Sequence, residues 1–238
     1  MLPGRQGVTA IATHSLIKDS GATPSESRER YGLLLVAVLT TFAVEGIAHP
    51  GPWEQVIVAA LLAATLLLAG WASDVRPLAM RASVIVGALV VIAAVSEALA
   101  GTTDGPASRF ANLFLVMLAP PVIVLGVVRS LRSRNRVTIQ AVFGVLCLYI
   151  LIGMFFAFVY AAIDRYAHPF FAEQVAGTVS NCLYFSFTTL TTVGYGDVTA
   201  ATNLGHTLSS LEGLTGQIYL VTVVSLLVGN LRARRSSD

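Results

Sequence analysis

Long hydrophobic runs alternate with short polar separators along most of the chain. A bilayer core of about 30 Å is crossed by roughly 20 apolar residues in a helix, and six runs reach that length. The separators are rich in proline, glycine and charged residues, which favour turns. The predicted spans are approximately 31–48, 54–72, 78–99, 110–129, 137–163 and 206–231.

A seventh apolar run, 179–190, is too short to cross the bilayer. A short run of this kind is typical of a re-entrant segment, which enters and leaves the membrane by the same face. The polar stretch TTVGYGD, residues 191–197, follows it directly. Because non-helical backbone at membrane depth must be buried in protein or line water, this stretch predicts a cavity or a pore.

The amino-acid composition also indicates that the chain lies in a lipid bilayer. Hydrophobic residues make up 55% of the chain and charged residues 12%, whereas a soluble domain is about a quarter charged. We therefore expect an all-α membrane protein. Cys147 and Cys182 have neither disulfide-framework nor metal-ligand spacing. No nucleophile–base pair or phosphate loop stands out, so we expect neither an enzyme nor a cofactor, and no nucleic-acid partner.

The basic residues predict the orientation of the spans. With the N-terminus inside, 13 of the 15 Lys and Arg residues fall in cytosolic segments, and Arg109 and Arg165 fall outside. Cytosolic loops of membrane proteins carry such an excess of positive charge. We therefore expect a multi-pass protein of the inner (plasma) membrane, with both termini cytosolic and the 164–205 loop outside.

The chain divides into two groups of spans joined by a basic linker. The predicted parts are a cytosolic tail (1–30), a four-helix peripheral domain (31–129), a cytosolic linker (130–136), a pore domain (137–231) and a short cytosolic tail (232–238). The predicted elements of the pore domain are an outer helix (137–163), a pore helix (about 179–190), a filter (192–196) and an inner helix (206–231).

Two glycines favour an unusual backbone in the polar stretch. Gly194 and Gly196 alternate with Val193 and Tyr195, and glycine adopts left-handed conformations without a Cβ penalty. A chain that alternates between left- and right-handed residues aims successive carbonyl oxygens at one axis. Such oxygens can replace the hydration water of potassium, and the Thr192 hydroxyl adds a further oxygen. One chain supplies one strand, so enclosing an ion requires an oligomer.

The stretch TTVGYGD resembles the signature filter of potassium channels, and residues 137–231 resemble the bacterial pore module. The resemblance implies a homotetramer of subunits with six transmembrane helices, a re-entrant pore helix and a filter loop. It implies K⁺ as the transported ion, bound by backbone carbonyls and the threonine hydroxyl. The filter residues that it implies are Thr192, Val193, Gly194, Tyr195 and Gly196, the first four as K⁺ ligands.

The residues that support the filter depart partly from the family pattern. Asp197 resembles the acidic residue behind the filter mouth, which hydrogen-bonds back to the pore helix. Many members of the family have Trp where this chain has Tyr184 and Phe185, and some have a carboxylate where it has Thr188. The resemblance therefore implies a bracing network that is weaker or different here.

The predicted inner helix carries three kinds of candidate functional residue: glycines, an ionisable residue and a face that lines the cavity. Gly216, like Gly213 before it, is either a hinge or a point of close packing, because small residues serve both roles. Glu212, an ionisable residue inside a span, is either a protonated or hydrogen-bonded carboxyl packed behind the filter or a proton-linked gating group. One helical face is predicted to line the cavity, with a constriction near its last residue: Gln217, Leu220, Val224 and Val228.

The fourth predicted span lacks the features of a voltage sensor. A sensor carries Arg or Lys at every third position, whereas no charge lies between Arg109 and Arg129. Pro120 and Pro121 also interrupt the helical hydrogen-bond ladder. We therefore expect a peripheral domain that does not sense voltage.

Two questions stay open at the level of sequence. A weakly selective cation channel and a pore subunit of a potassium uptake system are the alternatives to a potassium channel. The arginines of the linker either bind anionic lipids or act only as topology signals. These residues are Arg129, Arg132, Arg134 and Arg136.

Overall fold

The computed structural model describes most of the predicted pore domain and much of the first three spans. The described residues are 24–47, 51–73, 77–101, 113–118, 121–122, 124, 139–166, 169–172 and 175–235. Within these ranges the side chains of 24–29, 52, 139–141, 224 and 226–235 lie outside the description. The predictions for 1–23, the linker arginines and 236–238 therefore concern residues outside the described part.

Helices account for nearly all of the described residues, as the sequence predicts. The helices are α1 (Pro24–Ile47), α2 (Pro52–Ala72), α3 (Pro77–Leu99), α4 (Ile139–Tyr166), α5 (Val179–Leu190) and α6 (Asn203–Arg235). Residues 113–118, in the predicted fourth span, are also helical. An isolated antiparallel bridge between Phe171 and Ala200 joins the two loops on either side of α5.

Four of the described helices are long and apolar enough to cross a membrane. The candidate spans are Arg30–Ile47, Trp53–Ala72, Pro77–Leu99 and Val142–Tyr166. Helix α6 is longer, with 33 residues, but is not among these four. The chain therefore has the helices of a membrane protein, and the count of six spans stays a prediction.

Local sequence explains where α5 begins. Thr178 has an extended backbone, and its Oγ1 atom accepts a hydrogen bond from the Asn181 backbone N–H. The Asn181 side-chain amide in turn donates to the Ala176 carbonyl at 2.8 Å. Threonine and asparagine are common at helix N-termini because they partner the backbone groups that the first turn leaves free. The cap fixes where the chain turns into the short helix that precedes the filter.

Aromatic side chains fill the space between α4, the outer loop and α5. The Tyr160 and Phe170 rings stack with centroids 4.5 Å apart. Phe171 and Phe185 meet edge to face at 5.4 Å. Such pairs contribute about 0.5–1.5 kcal/mol beyond the area that they bury. They hold α5 against the outer helix, and so position the chain that follows it.

Helix α1 packs against the pore part of the chain as well as against α2. It contacts both α4 and α5. The Phe42 and Phe187 rings lie 4.6 Å apart, and the Ser180 hydroxyl donates to the Gly46 carbonyl at 2.9 Å. The first span thus lies directly behind the pore helix, a contact that hydropathy cannot reveal.

Candidate functional site

The backbone of residues 192–196 alternates in handedness. The φ angles are 59° at Thr192, 50° at Gly194 and 81° at Gly196, and Val193 and Tyr195 between them do not have positive φ. The glycines take this conformation freely. Thr192, which is β-branched, takes it at a cost of about 1–2 kcal/mol. Sequence reasoning missed this position because it looked for left-handed residues only among the glycines.

Hydrogen bonds to the last turn of α5 hold the N-terminal end of the predicted filter segment, residues 192–196. The backbone N–H groups of Val193 and Gly194 both donate to the Thr188 carbonyl, at 2.8 and 3.1 Å. The Thr191 N–H donates to the Phe187 carbonyl at 3.0 Å, and so does the Thr191 hydroxyl, at 2.6 Å. Carbonyls at the end of a helix have no partner within it. Here they bind the filter segment and fix its position relative to the helix.

The C-terminal end of the segment is braced through Asp197. The Tyr184 hydroxyl of α5 donates to Asp197 Oδ2 at 2.8 Å, and the Val198 N–H donates to Asp197 Oδ1 at 3.0 Å. The Tyr184 ring lies parallel to that of Tyr195, with centroids 6.2 Å apart. The hydrogen bond to the carboxylate raises the pKa of the Tyr184 phenol. Tyr184 thus connects α5 to Asp197, directly after the predicted filter.

Thr188 contacts the predicted filter segment through its main chain and not through its side chain. Its hydroxyl donates to the Phe185 carbonyl of its own helix at 3.0 Å, whereas its backbone carbonyl receives the two filter N–H groups. The contact to the filter is therefore made by the main chain. Its role as a supporting residue stays a prediction.

Removing the Tyr184 hydroxyl should destabilise the C-terminal end of the predicted filter. We expect Tyr184→Phe to keep the ring stacking, to fold normally and to lose current several-fold faster than wild type during sustained recording. The physical reason is that Asp197 Oδ2 loses the hydroxyl that donates to it from the pore helix. Patch recordings from proteoliposomes measure the decay; a time course equal to that of wild type would contradict the bracing role.

Gly216 of α6 lies against the end of the pore helix. A Cβ atom at this position would come closer than 3.0 Å to the Leu190 carbonyl oxygen. At Gly213 the nearest atom would be the Thr189 carbonyl oxygen at 3.8 Å, an ordinary contact. The structure therefore shows close packing at Gly216, and a hinge at this residue stays a prediction.

The predicted cavity face is described in part. The side-chain amide of Gln217 lies 3.4 Å from Thr192 Oγ1, and Leu220 is exposed on the single chain. The side chains of Val224 and Val228 lie outside the described residues, and with them the predicted constriction.

Glu212 is fully buried and faces two helices. Its Oε2 atom accepts a hydrogen bond from the Tyr160 hydroxyl of α4 at 2.6 Å, and its Oε1 atom is bonded to the Ser186 hydroxyl of α5. The carboxyl is thus packed and hydrogen-bonded between α4 and α5, and a position behind the filter stays a prediction. Sequence reasoning did not identify Tyr160 and Ser186. The sequence does contain a signal for these partners, because polar side chains within apolar membrane segments need hydrogen-bond partners.

Part of the chain is similar to a known family. Residues 144–233 match the family model described as "Ion channel". The match covers less than half of the chain and runs from within α4 to near the end of α6, with the predicted filter segment inside it. No curated protein and no solved structure gave a significant match. The match supports an ion channel in a lipid bilayer, and it suggests a protein without enzymatic activity.

Proposed function

We propose that the protein is a potassium-selective channel that passes K⁺ passively across the membrane. The observation that carries the proposal is the alternation of positive φ at Thr192, Gly194 and Gly196, within a segment that matches an ion channel family. Carbonyls aimed at one axis can replace the hydration shell of K⁺ at low cost. In this proposal K⁺ is bound by the residues 192–195.

A homotetramer is the assembly that this proposal requires. A filter of this type is formed by four strands around one axis. On the single chain the Val193 and Tyr195 side chains are 53% and 71% exposed. One stripe of α6 at helical spacing is also apolar and exposed: Leu211, Leu214, Ile218 and Val221. Neighbouring copies would cover both surfaces.

The proposed channel does not sense voltage through its peripheral domain. Gating charges must lie within the field to respond to it, and the fourth predicted span has no charge between Arg109 and Arg129. We place the protein in the inner membrane with both termini cytosolic, on the distribution of its basic residues. No resident cofactor is proposed, since K⁺ is the transported ion.

Ion flux from proteoliposomes tests the proposed function. Purified protein is reconstituted in vesicles loaded with KCl or with NaCl, and efflux is driven by a concentration gradient. We expect rapid efflux from the potassium vesicles and little from the sodium vesicles. Equal efflux would show a weakly selective cation channel, and no efflux above protein-free vesicles would contradict a channel.

A further inference from the structure

The buried carboxyl of Glu212 brings three helices together. Glu212 lies on α6, Tyr160 on α4 and Ser186 on α5, and all three side chains are fully buried. Tyr160 donates to Glu212 Oε2 at 2.6 Å, and Ser186 is bonded to Glu212 Oε1. Because the cluster is buried within one chain, its hydrogen bonds do not require a neighbouring subunit.

The Ser186 hydroxyl lies between two oxygen atoms. Its Oγ is 2.7 Å from the Gly153 carbonyl oxygen of α4 and in contact with Glu212 Oε1. A serine hydroxyl has one proton and can donate to only one of them. If Glu212 were ionised, the Ser186 hydroxyl could donate either to the Gly153 carbonyl oxygen or to Glu212 Oε1. The oxygen that does not receive this proton would then face Ser186 Oγ with no proton between the two atoms. The cluster therefore lacks one proton unless Glu212 carries it.

Charge leads to the same conclusion. None of the described Lys, Arg or His side chains contacts the Glu212 carboxyl. On α6 the nearest basic side chain is His206, six residues before Glu212 and about 9 Å away along the helix, and its Nε2 lies 2.8 Å from the Ala200 carbonyl oxygen. In the other direction the next basic residue is Arg232, about 30 Å along the helix.

The Glu212 carboxyl is hydrogen-bonded to the hydroxyls of Tyr160 and Ser186. The other titratable groups nearby are the Tyr149 phenol, which interacts electrostatically with Glu212, and the Cys182 thiol, which is close to Tyr160. An ionised carboxylate buried without a positive partner is very costly.

We propose that Glu212 is a neutral carboxylic acid that donates its proton to Ser186, which in turn donates to the Gly153 carbonyl. Tyr160 donates to the carbonyl oxygen of the same acid. Each proton then has one donor and one acceptor, and the cluster carries no charge. Glu212 is thereby a positioning residue, which ties the inner helix to the pore helix. The inference rests on these hydrogen bonds and holds whichever cation the channel passes.

A glutamine at position 212 can reproduce the hydrogen bonds of the neutral acid, because its amide N–H can donate to Ser186 and its oxygen can accept from Tyr160. The Ser186 hydroxyl then donates to the Gly153 carbonyl, as in the proposed cluster. We therefore expect Glu212→Gln to assemble and to unfold near the wild-type temperature. Glu212→Ala should unfold at a clearly lower temperature.

Infrared spectroscopy observes the proton directly. The purified full-length channel, with glutamate labelled by ¹³C at the side-chain carboxyl, is measured at neutral pH. We expect the carbonyl band of a protonated carboxylic acid, absent from Glu212→Gln and shifted in Ser186→Ala, where the acid loses its acceptor. The control Glu54→Gln changes a carboxylate that accepts from the Gly51 N–H, and should leave the band unchanged.

Either of two results would overturn the proposal. One is a wild-type spectrum without the protonated-acid band at neutral pH. The other is Glu212→Gln unfolding at as low a temperature as Glu212→Ala. If the Glu212 variants fail to fold, the infrared spectra of wild type and Ser186→Ala still test the proposal.

Discussion

Replacing Gly216 with alanine should prevent assembly of the pore, whereas the same change at Gly213 should not. At Gly216 the new methyl group would overlap the Leu190 carbonyl oxygen, which is backbone and cannot turn aside. The helices must then separate, and overpacking of this kind costs about 1–3 kcal/mol. The cost recurs in every subunit. We expect the variant to lose most of its oligomer and its ion flux.

Gly213→Ala is the matched control, three residues earlier on the same helix. Both changes gain the helix propensity of alanine over glycine, about 1 kcal/mol. At Gly213 the added methyl meets only an ordinary contact at 3.8 Å, so we expect equal or greater stability and a normal oligomer. Size-exclusion chromatography and thermal unfolding measure both variants. If Gly216→Ala assembled normally but opened less often, the hinge would be supported and the packing role contradicted.

Gly194→Ala should lower potassium flux at least tenfold while leaving the fold nearly intact. Gly194 has a φ of 50°, and a Cβ atom added there would lie in open space within the single chain. Alanine there costs about 1–2 kcal/mol in the left-handed conformation. The backbone can escape this cost by turning the peptide, which would move a carbonyl away from the axis. We therefore expect an oligomer of near-normal stability with at least a tenfold lower K⁺ flux, since one misplaced ligand worth about 1.4 kcal/mol corresponds to that factor.

Gly101→Ala is the control that separates an effect of Gly194→Ala on the filter from the free-energy cost of placing alanine at a positive φ. Gly101 also has a positive φ, 69°, and open space around it, but it lies in the turn after α3. The change should cost the same in stability and leave flux unchanged. Unfolding and vesicle efflux are measured side by side. A similar flux for the two variants would show that Gly194 matters only for folding.

The elements of the pore could be predicted from the sequence because each depends on local signals. The short apolar run 179–190 coincides with helix α5 (Val179–Leu190), since a capping threonine precedes it and the polar filter stretch follows it. The first three predicted spans agree to within a residue with the candidate spans Arg30–Ile47, Trp53–Ala72 and Pro77–Leu99. Helix α1 itself begins earlier, at Pro24, because a helix can continue through polar residues where hydropathy has already fallen.

The contacts within the site could not be predicted from the sequence. The bonds that Glu212 makes depend on how α4, α5 and α6 are rotated about their axes, and one sequence does not define those rotations. The positive φ of Thr192 follows from the carbonyls to which its neighbours donate, and no propensity indicates it. The contact of α1 with the pore helix is likewise a property of packing alone.

The reversal potential under bi-ionic conditions tests the central claim most directly. The purified wild-type channel is reconstituted in a planar bilayer with KCl on one side and NaCl of equal concentration on the other. A potassium-selective filter predicts a reversal potential far from zero, with the sign of a potassium gradient, and its inversion when the solutions are exchanged. A reversal potential at zero in both arrangements would contradict potassium selectivity.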